Sequence, residues 1–206
     1  ALIQNVDGRW EMFGGGRSVV ATSVFYKYFD KPIGRVVIAS ANPIATFQNA
    51  DNARNFGVEL EVARELGQHF FVNANYTFVD SKITLSPEQL GVQTSAERPL
   101  AGQSENIFNV SGEFFMGGFS TRVLYNFFGD RISDVGANEA PDIIEQGRGA
   151  LDVVFAQRYR NLTVRATLEN LTDSEYEYTQ SLEIDRIQRL YKLGRSYTVS
   201  LSYNVF

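Results

Sequence analysis

Apolar and polar residues alternate strictly over most of the chain. Between Ala53 and Glu65, Phe56, Val58, Leu60 and Val62 alternate with Gly57, Glu59, Glu61 and Ala63. A period of two, with carboxylates repeated on one side, is the signature of a strand and not of an amphipathic helix. After Leu66-Gly67-Gln68 the alternation restarts, with Phe70, Val72, Ala74, Tyr76 and Phe78 opposite Phe71, Asn73, Asn75, Thr77 and Val79. A three-residue break containing Gly between two such runs predicts a hairpin. The unit recurs. Phe108, Val110, Gly112 and Phe114 lead through Met116-Gly117-Gly118 to Phe119, Thr121, Val123, Tyr125 and Phe127. Leu151, Val153 and Phe155 lead through Arg160-Asn161 to Leu162, Val164, Ala166 and Leu168. Asp7–Phe13 and Arg17–Asp30 form a further pair around Gly14-Gly15-Gly16. A last strand sets Tyr197, Val199, Leu201, Tyr203 and Val205 against Ser196, Thr198, Ser200, Ser202 and Asn204.

This pattern predicts an all-β, antiparallel fold of roughly nine strands. Short turns at 14–16, 66–68, 116–118 and 160–161 alternate with long links at about 31–51, 84–101, 133–146 and 172–193. Transmembrane barrels have this asymmetry, with short turns on the periplasmic side and longer extracellular loops. A soluble β-sandwich or a lipocalin-like barrel would show the same alternation with its apolar face turned inward. Strand length separates the two. Many segments alternate for ten or more residues, above the ~5–6 usual in soluble sheets and near the ~9–11 that cross a bilayer. The polar positions also carry Glu59, Glu61, Glu113, Arg122, Arg165 and Glu169 at mid-strand, which a wet or plugged lumen accommodates. Parity adds a further expectation. A complete single-chain bacterial barrel has an even strand number and both termini on the short-turn side. Nine strands put the ends on opposite sides, so the chain is expected to be the C-terminal part of a larger barrel.

Composition agrees and removes other classes. Of 206 residues, 44% are hydrophobic and 13% aromatic, including 16 Phe and 10 Tyr, enough to supply aromatic girdles at two membrane interfaces. Mean hydropathy is −0.19, and no run approaches the ~18–20 apolar residues of a helical span. Net charge is −5 and no Lys/Arg stripe is present, so no nucleic-acid partner is expected. Cysteine is absent, which removes disulfides and thiolate metal sites. Ala1–Asp7 lacks the basic and apolar regions of an export signal. An exported chain of this kind has either lost its signal or begins partway through a longer protein.

Four segments carry a family resemblance. Asn55-Phe56-Gly57-Val58-Glu59-Leu60-Glu61 resembles the Gly-Val/Ile-Glu-x-Glu strand of TonB-dependent outer-membrane receptors. Arg98-Pro99-Leu100-Ala101-Gly102-Gln103-Ser104 is similar to a Pro-containing link that leads into a new strand in that family. Glu169-Asn170-Leu171-Thr172-Asp173-Ser174-Glu175-Tyr176 resembles its penultimate-strand signature. Gly194-Arg195-Ser196-Tyr197-Thr198-Val199-Ser200-Leu201 resembles its final strand, and the chain ends on an aromatic, Phe206. The order of these segments makes the match specific, and it spans about residues 5–206. Phe206 departs from the pattern: it lies one residue out of phase with Tyr197, Val199, Leu201, Tyr203 and Val205.

The resemblance implies a 22-stranded barrel with residues 1–206 as its C-terminal portion, and a plug domain and TonB box outside this chain. It implies import of a scarce nutrient (a siderophore, glycan, vitamin or peptide) with energy delivered through TonB. The implied location is the bacterial outer membrane. The implied partners are membrane lipid, the protein's own plug, TonB, and the barrel-assembly machinery at the last strand. A small closed outer-membrane barrel with a structural, adhesive or enzymatic role is the alternative.

No catalytic, cofactor or metal site is expected. The one His, His69, follows a turn, and without Cys no Ser/His/Asp or Cys/His machinery can be assembled in strength. Glu59 and Glu61 share a face about 7 Å apart and read as lumen-facing. Gly14-Gly15-Gly16 lacks the Lys and Ser/Thr of a phosphate loop. Asn170 and Asp173 suit a turn, because Asn and Asp bond their own backbone there. The long links are the expected ligand-contacting parts. The one at 172–193 combines Tyr176, Tyr178, Arg186, Arg189 and Tyr191 as candidate binding residues with Glu183, Asp185 and Lys192.

Overall fold

The computed structural model describes residues 1–38, 44–181 and 185–205. Strands β1 (Leu2–Phe13) and β2 (Val19–Asp30) form the first hairpin. The first long link carries a separate ribbon of β3 (Ile33–Ile38) and β4 (Ile44–Asn49). The longest hairpin follows, β5 (Asn52–Leu66) and β6 (Phe70–Thr84). The second link holds one helical turn, α1 (Pro87–Leu90), and the two-residue β7 (Glu97–Arg98). Then come β8 (Asn106–Met116) and β9 (Phe119–Phe128), with β10 (Arg131–Asp134) and β11 (Ile143–Glu145) in the third link. The fourth hairpin is β12 (Arg148–Tyr159) and β13 (Leu162–Glu169). β14 (Glu175–Ser181) and β15 (Asp185–Lys192) occupy the fourth link, and β16 (Ser196–Tyr203) follows.

One antiparallel sheet dominates, in the order β1-β2-β5-β6-β8-β9-β12-β13-β16, with β7 attached to β6. Its nine long strands are those predicted from the alternation. Each pairs with its predecessor, by turns across a short turn and across a long link; in two of the short turns Gly67 and Gly117 take φ of +67° and +61°, a region glycine enters without a Cβ penalty. Among the described residues no pairing joins β1 to β16, so the sheet is open at both edges. Among the described residues, the links, expected as long loops, contain seven further strands. β10, β11, β14 and β15 form a four-stranded sheet of their own. β16 stops at Tyr203, before Val205, and Phe206 lies outside the described residues.

The two faces of the sheet differ in kind. In β2 and β5, Val20, Val24, Tyr26, Phe56, Leu60 and Val62 are exposed, Leu60 to 48%. Their neighbours on the other face, Ala21, Ala53 and Ala63, are buried, Ala53 completely. A soluble sheet buries its apolar face to gain ~25 cal/mol per Å². Here the Val/Leu/Phe face is the open one, which runs against a soluble barrel and suits a lipid-facing wall. Phe70, Phe114 and Phe119 form an aromatic row on this face beside the short turns, with ring centroids 4.9 and 6.3 Å apart. Tyr26 and Tyr28 lie toward the long links on the same face.

The opposite face is polar and internally paired. Arg9 donates to Ser23 and Glu61 at 3.1 and 2.9 Å. Asn109 donates to Asn75 at 2.8 Å. Arg17 pairs with Glu65 at 3.0 Å and covers the Phe71 ring at 4.1 Å, and Arg122 pairs with Glu113. Near the long links, Ala50, Ala53, Ile83 and Leu85 form a small buried cluster packed by Phe29, Leu90 and Leu100. It sits there because β5 and β6 are 15 residues long. At ~3.3 Å per residue they reach about 50 Å, beyond the ~9–11 residues a tilted strand needs in the membrane. Their extra length becomes a platform for the links.

Candidate ligand-binding site

At that end of the sheet the four links are tied into one body. Arg35, in the first link, donates to Ser133 O at 3.0 Å and pairs with Asp134 at 2.9 Å, both in the third. Asp134 also pairs with Arg189 of the fourth link at 2.8 Å. Arg98, in the second link, donates to Arg35 O at 2.8 Å. Backbone bonds add Asn138 N to Val92 O and Gly102 N to Ile132 O, both 2.8 Å. The third and fourth links share a sheet through β11 and β14. Arg35 and Asp134 are therefore the crossing point of all four.

An aromatic–arginine ladder runs through the same body. The Arg131 and Arg148 guanidinium carbons lie 4.4 and 4.9 Å from the Phe128 ring. Arg148 also lies 3.8 Å from the Tyr176 ring. Tyr176 stacks on Tyr191 with centroids 4.9 Å apart and 6° between planes. Tyr191 lies 6.3 Å from Tyr178, which Arg189 covers at 4.1 Å. Cation–π contacts of this kind contribute about 0.5–2 kcal/mol each, more where desolvated. The Tyr178 hydroxyl is pushed up to about 12, first by its hydrogen bond with Tyr191 and then by burial and the nearby Glu145 carboxylate. Lys192 holds Glu175 and Asp173 at 3.1 and 3.6 Å, and the Glu175 bond raises its pKa.

Four of the five candidate residues, Tyr176, Tyr178, Arg189 and Tyr191, thus meet in one ladder. Arg186 stands apart, exposed opposite Gln180, and Glu183 lies outside the described residues. Asn170 behaves as a turn residue: φ is +53° and its Oδ1 accepts the Ser174 N–H at 3.2 Å. His69 bonds Phe115 O at 3.0 Å. Among the described residues no group of three or more His, Asp or Glu is placed to hold a metal.

The alternation pattern did not point to Arg35, Arg98, Arg131, Asp134 and Glu145. Arg35, Arg98, Arg131 and Glu145 line a recess of about 370 Å³ together with Ile83 and Ile132. Glu145 is buried and holds Arg131 at 2.8 Å. Desolvation lowers the pKa of the buried Arg98. The only sequence signal was that Arg98 opens the Arg98–Ser104 segment already set apart by its resemblance. A second recess, about 470 Å³, lies on the polar face toward the short turns, lined by Arg17, Glu113, Arg122 and Arg165.

Comparison with solved structures identifies the architecture. The copper transporter OprC superposes with a TM-score of 0.68 at 17% identity, covering 98% of this chain and 31% of that one. The ferric-catecholate import receptor Fiu from E. coli K12 gives 0.66 at 17% identity, covering 98% and 27%. The FrpB iron transporter of Neisseria meningitidis gives 0.68 at 12%, covering 98% and 31%. At such identities the likeness is one of fold, and the chain spans about a third of those structures. No curated protein sequence matches the chain. The family model described as "TonB dependent receptor-like, beta-barrel" matches residues 3–171. With that match over most of its length, the chain belongs to the β-barrel family of TonB-dependent receptors.

Proposed function

We propose that residues 1–206 form the C-terminal wall of an outer-membrane importer driven through TonB, with the long links outside the cell. The plug domain and the TonB contact belong to the rest of the protein, the exposed apolar face meets membrane lipid, and the barrel-assembly machinery engages β16. The observation that carries this reading is the open nine-stranded sheet with its apolar face outward, within a family-model match. Two free edges support a larger barrel, since exposed edges are aggregation templates. A small closed barrel would need β16 to pair with β1.

The chain supplies wall and ligand-contacting surface and performs no chemistry. Tyr176, Tyr178, Arg189 and Tyr191 present aromatic and cationic groups on the outer body, and exposed Arg186 extends that surface. Among siderophore, glycan, vitamin and peptide, metal-carrying ligands draw support from neighbours named as copper and iron importers. The test is uptake by cells expressing the full-length receptor, offered radiolabelled ferric chelates under iron limitation, with and without TonB. Uptake that requires both receptor and TonB is expected. Receptor-dependent uptake continuing at the same rate without TonB would refute the reading.

A further inference from the structure

Among the described residues, Arg98 is the one buried arginine of the outer body, and no carboxylate forms an ion pair with it. It is 7% exposed. Nη2 donates to the Arg35 carbonyl at 2.8 Å, and Nε is buried with no hydrogen-bond partner. The other arginines of the recess are matched: Arg35 with Asp134 at 2.9 Å, and Arg131 with Glu145 at 2.8 Å. Asp142 acts on Arg98 only through its field, and its Oδ1 already accepts the Gly136 N–H at 2.6 Å. A buried charge without an ion-pair partner carries a desolvation cost that a bound anion would offset, so a side chain held this way is poised for an anion. The recess it lines is about 370 Å³, room for a small charged group. Ile83, Leu100 and Ile132 on its walls lower the local dielectric and strengthen any ion pair formed there.

We propose that this recess is an oxyanion subsite in which Arg98 grips a carboxylate or phosphate group of the imported solute. A guanidinium presents a planar fork that matches such groups with two parallel hydrogen bonds. Arg35 and Arg131 line the walls as paired cations that add favourable field without being free to compete. The pocket is assembled from three links and the end of β6, so an anion held there would tie the links further together. This subsite rests on the importer reading, but it is tested separately from it.

The experiment is calorimetric titration of the full-length receptor in detergent, with malonate and inorganic phosphate as probes in separate runs. Saturable binding of at least one probe is expected. The probe that binds tells whether a carboxylate or a phosphate is the preferred group. Arg98→Gln should weaken that binding at least tenfold, while Arg160→Gln, in the short turn at the opposite end of the sheet, leaves it within twofold. If Arg98→Gln does not fold, as read by loss of heat-modifiable migration, Arg98→Lys keeps the charge without the fork and should weaken binding at least threefold. Neither probe binding the wild type, as when an acid of the receptor's own remaining sequence fills the site, overturns the proposal. So does equal binding by the Arg98 variants. Because TonB is absent from this assay, the subsite can fail while TonB-dependent uptake stands, and the reverse.

Discussion

Gly57 shows how single residues set the wall. It pairs directly with Phe25 of β2, and a Cβ there would run into the Phe25 ring. The ring lies over the glycine on the polar face, with Lys27 Nζ 5.2 Å from its centroid. An aromatic laid over a strand glycine covers backbone that the missing side chain leaves bare. Gly57→Ala should therefore cost about 1–3 kcal/mol, the usual range for overpacking. The shift in urea midpoint of the full-length receptor would measure it, and Phe25→Ala in the same background should remove most of the penalty. The alternation placed Gly57 correctly on the face with Glu59 and Glu61. It could not reveal Phe25, because the contact lies across strands 32 positions apart and depends on the register. Arg98 was obscure for a like reason: its burial is made by Arg35 and β6, which nothing adjacent in sequence announces.

At the scale of elements, the nine wall strands were legible and the links were not. A wall strand in a bilayer must alternate along its whole length, since each side chain faces either lipid or lumen, and so β5 and β6 announce themselves. The strands of the links obey no such rule. β11 has three residues and gains its place by pairing with β14, more than thirty positions on. The candidate tyrosines were found by composition, but not the ladder that orders them. The Arg35–Asp134–Arg189 junction holds three links, and Asp134 carries both ion pairs. Both are partly exposed, so each is individually modest, and the consequence is local. In Asp134→Asn, limited proteolysis should cut the links at 31–51, 129–147 and 170–195 several-fold faster. Heat-modifiable migration of the barrel should stay unchanged. Equal cleavage rates would mean that the backbone pairing of β10, β11 and β14 suffices to hold the body.

At the scale of the whole molecule, one sheet separates two environments, and every functional assignment depends on which is which. Leu60 and Val62 belong to lipid on this account, while Glu59 and Glu61 belong to the lumen with Arg9. The same division runs across the sheet, with Val123 and Phe155 on the lipid side and Arg122 and Asp152 opposite. The direct measurement is site-directed spin labelling of the full-length receptor in liposomes, scanning positions 58–63 one at a time for collision with oxygen and with a water-soluble nickel chelate. The account predicts a period of two, with oxygen accessibility peaking at 58, 60 and 62 and falling at 59, 61 and 63. A flat profile, or peaks at 59, 61 and 63, would contradict it.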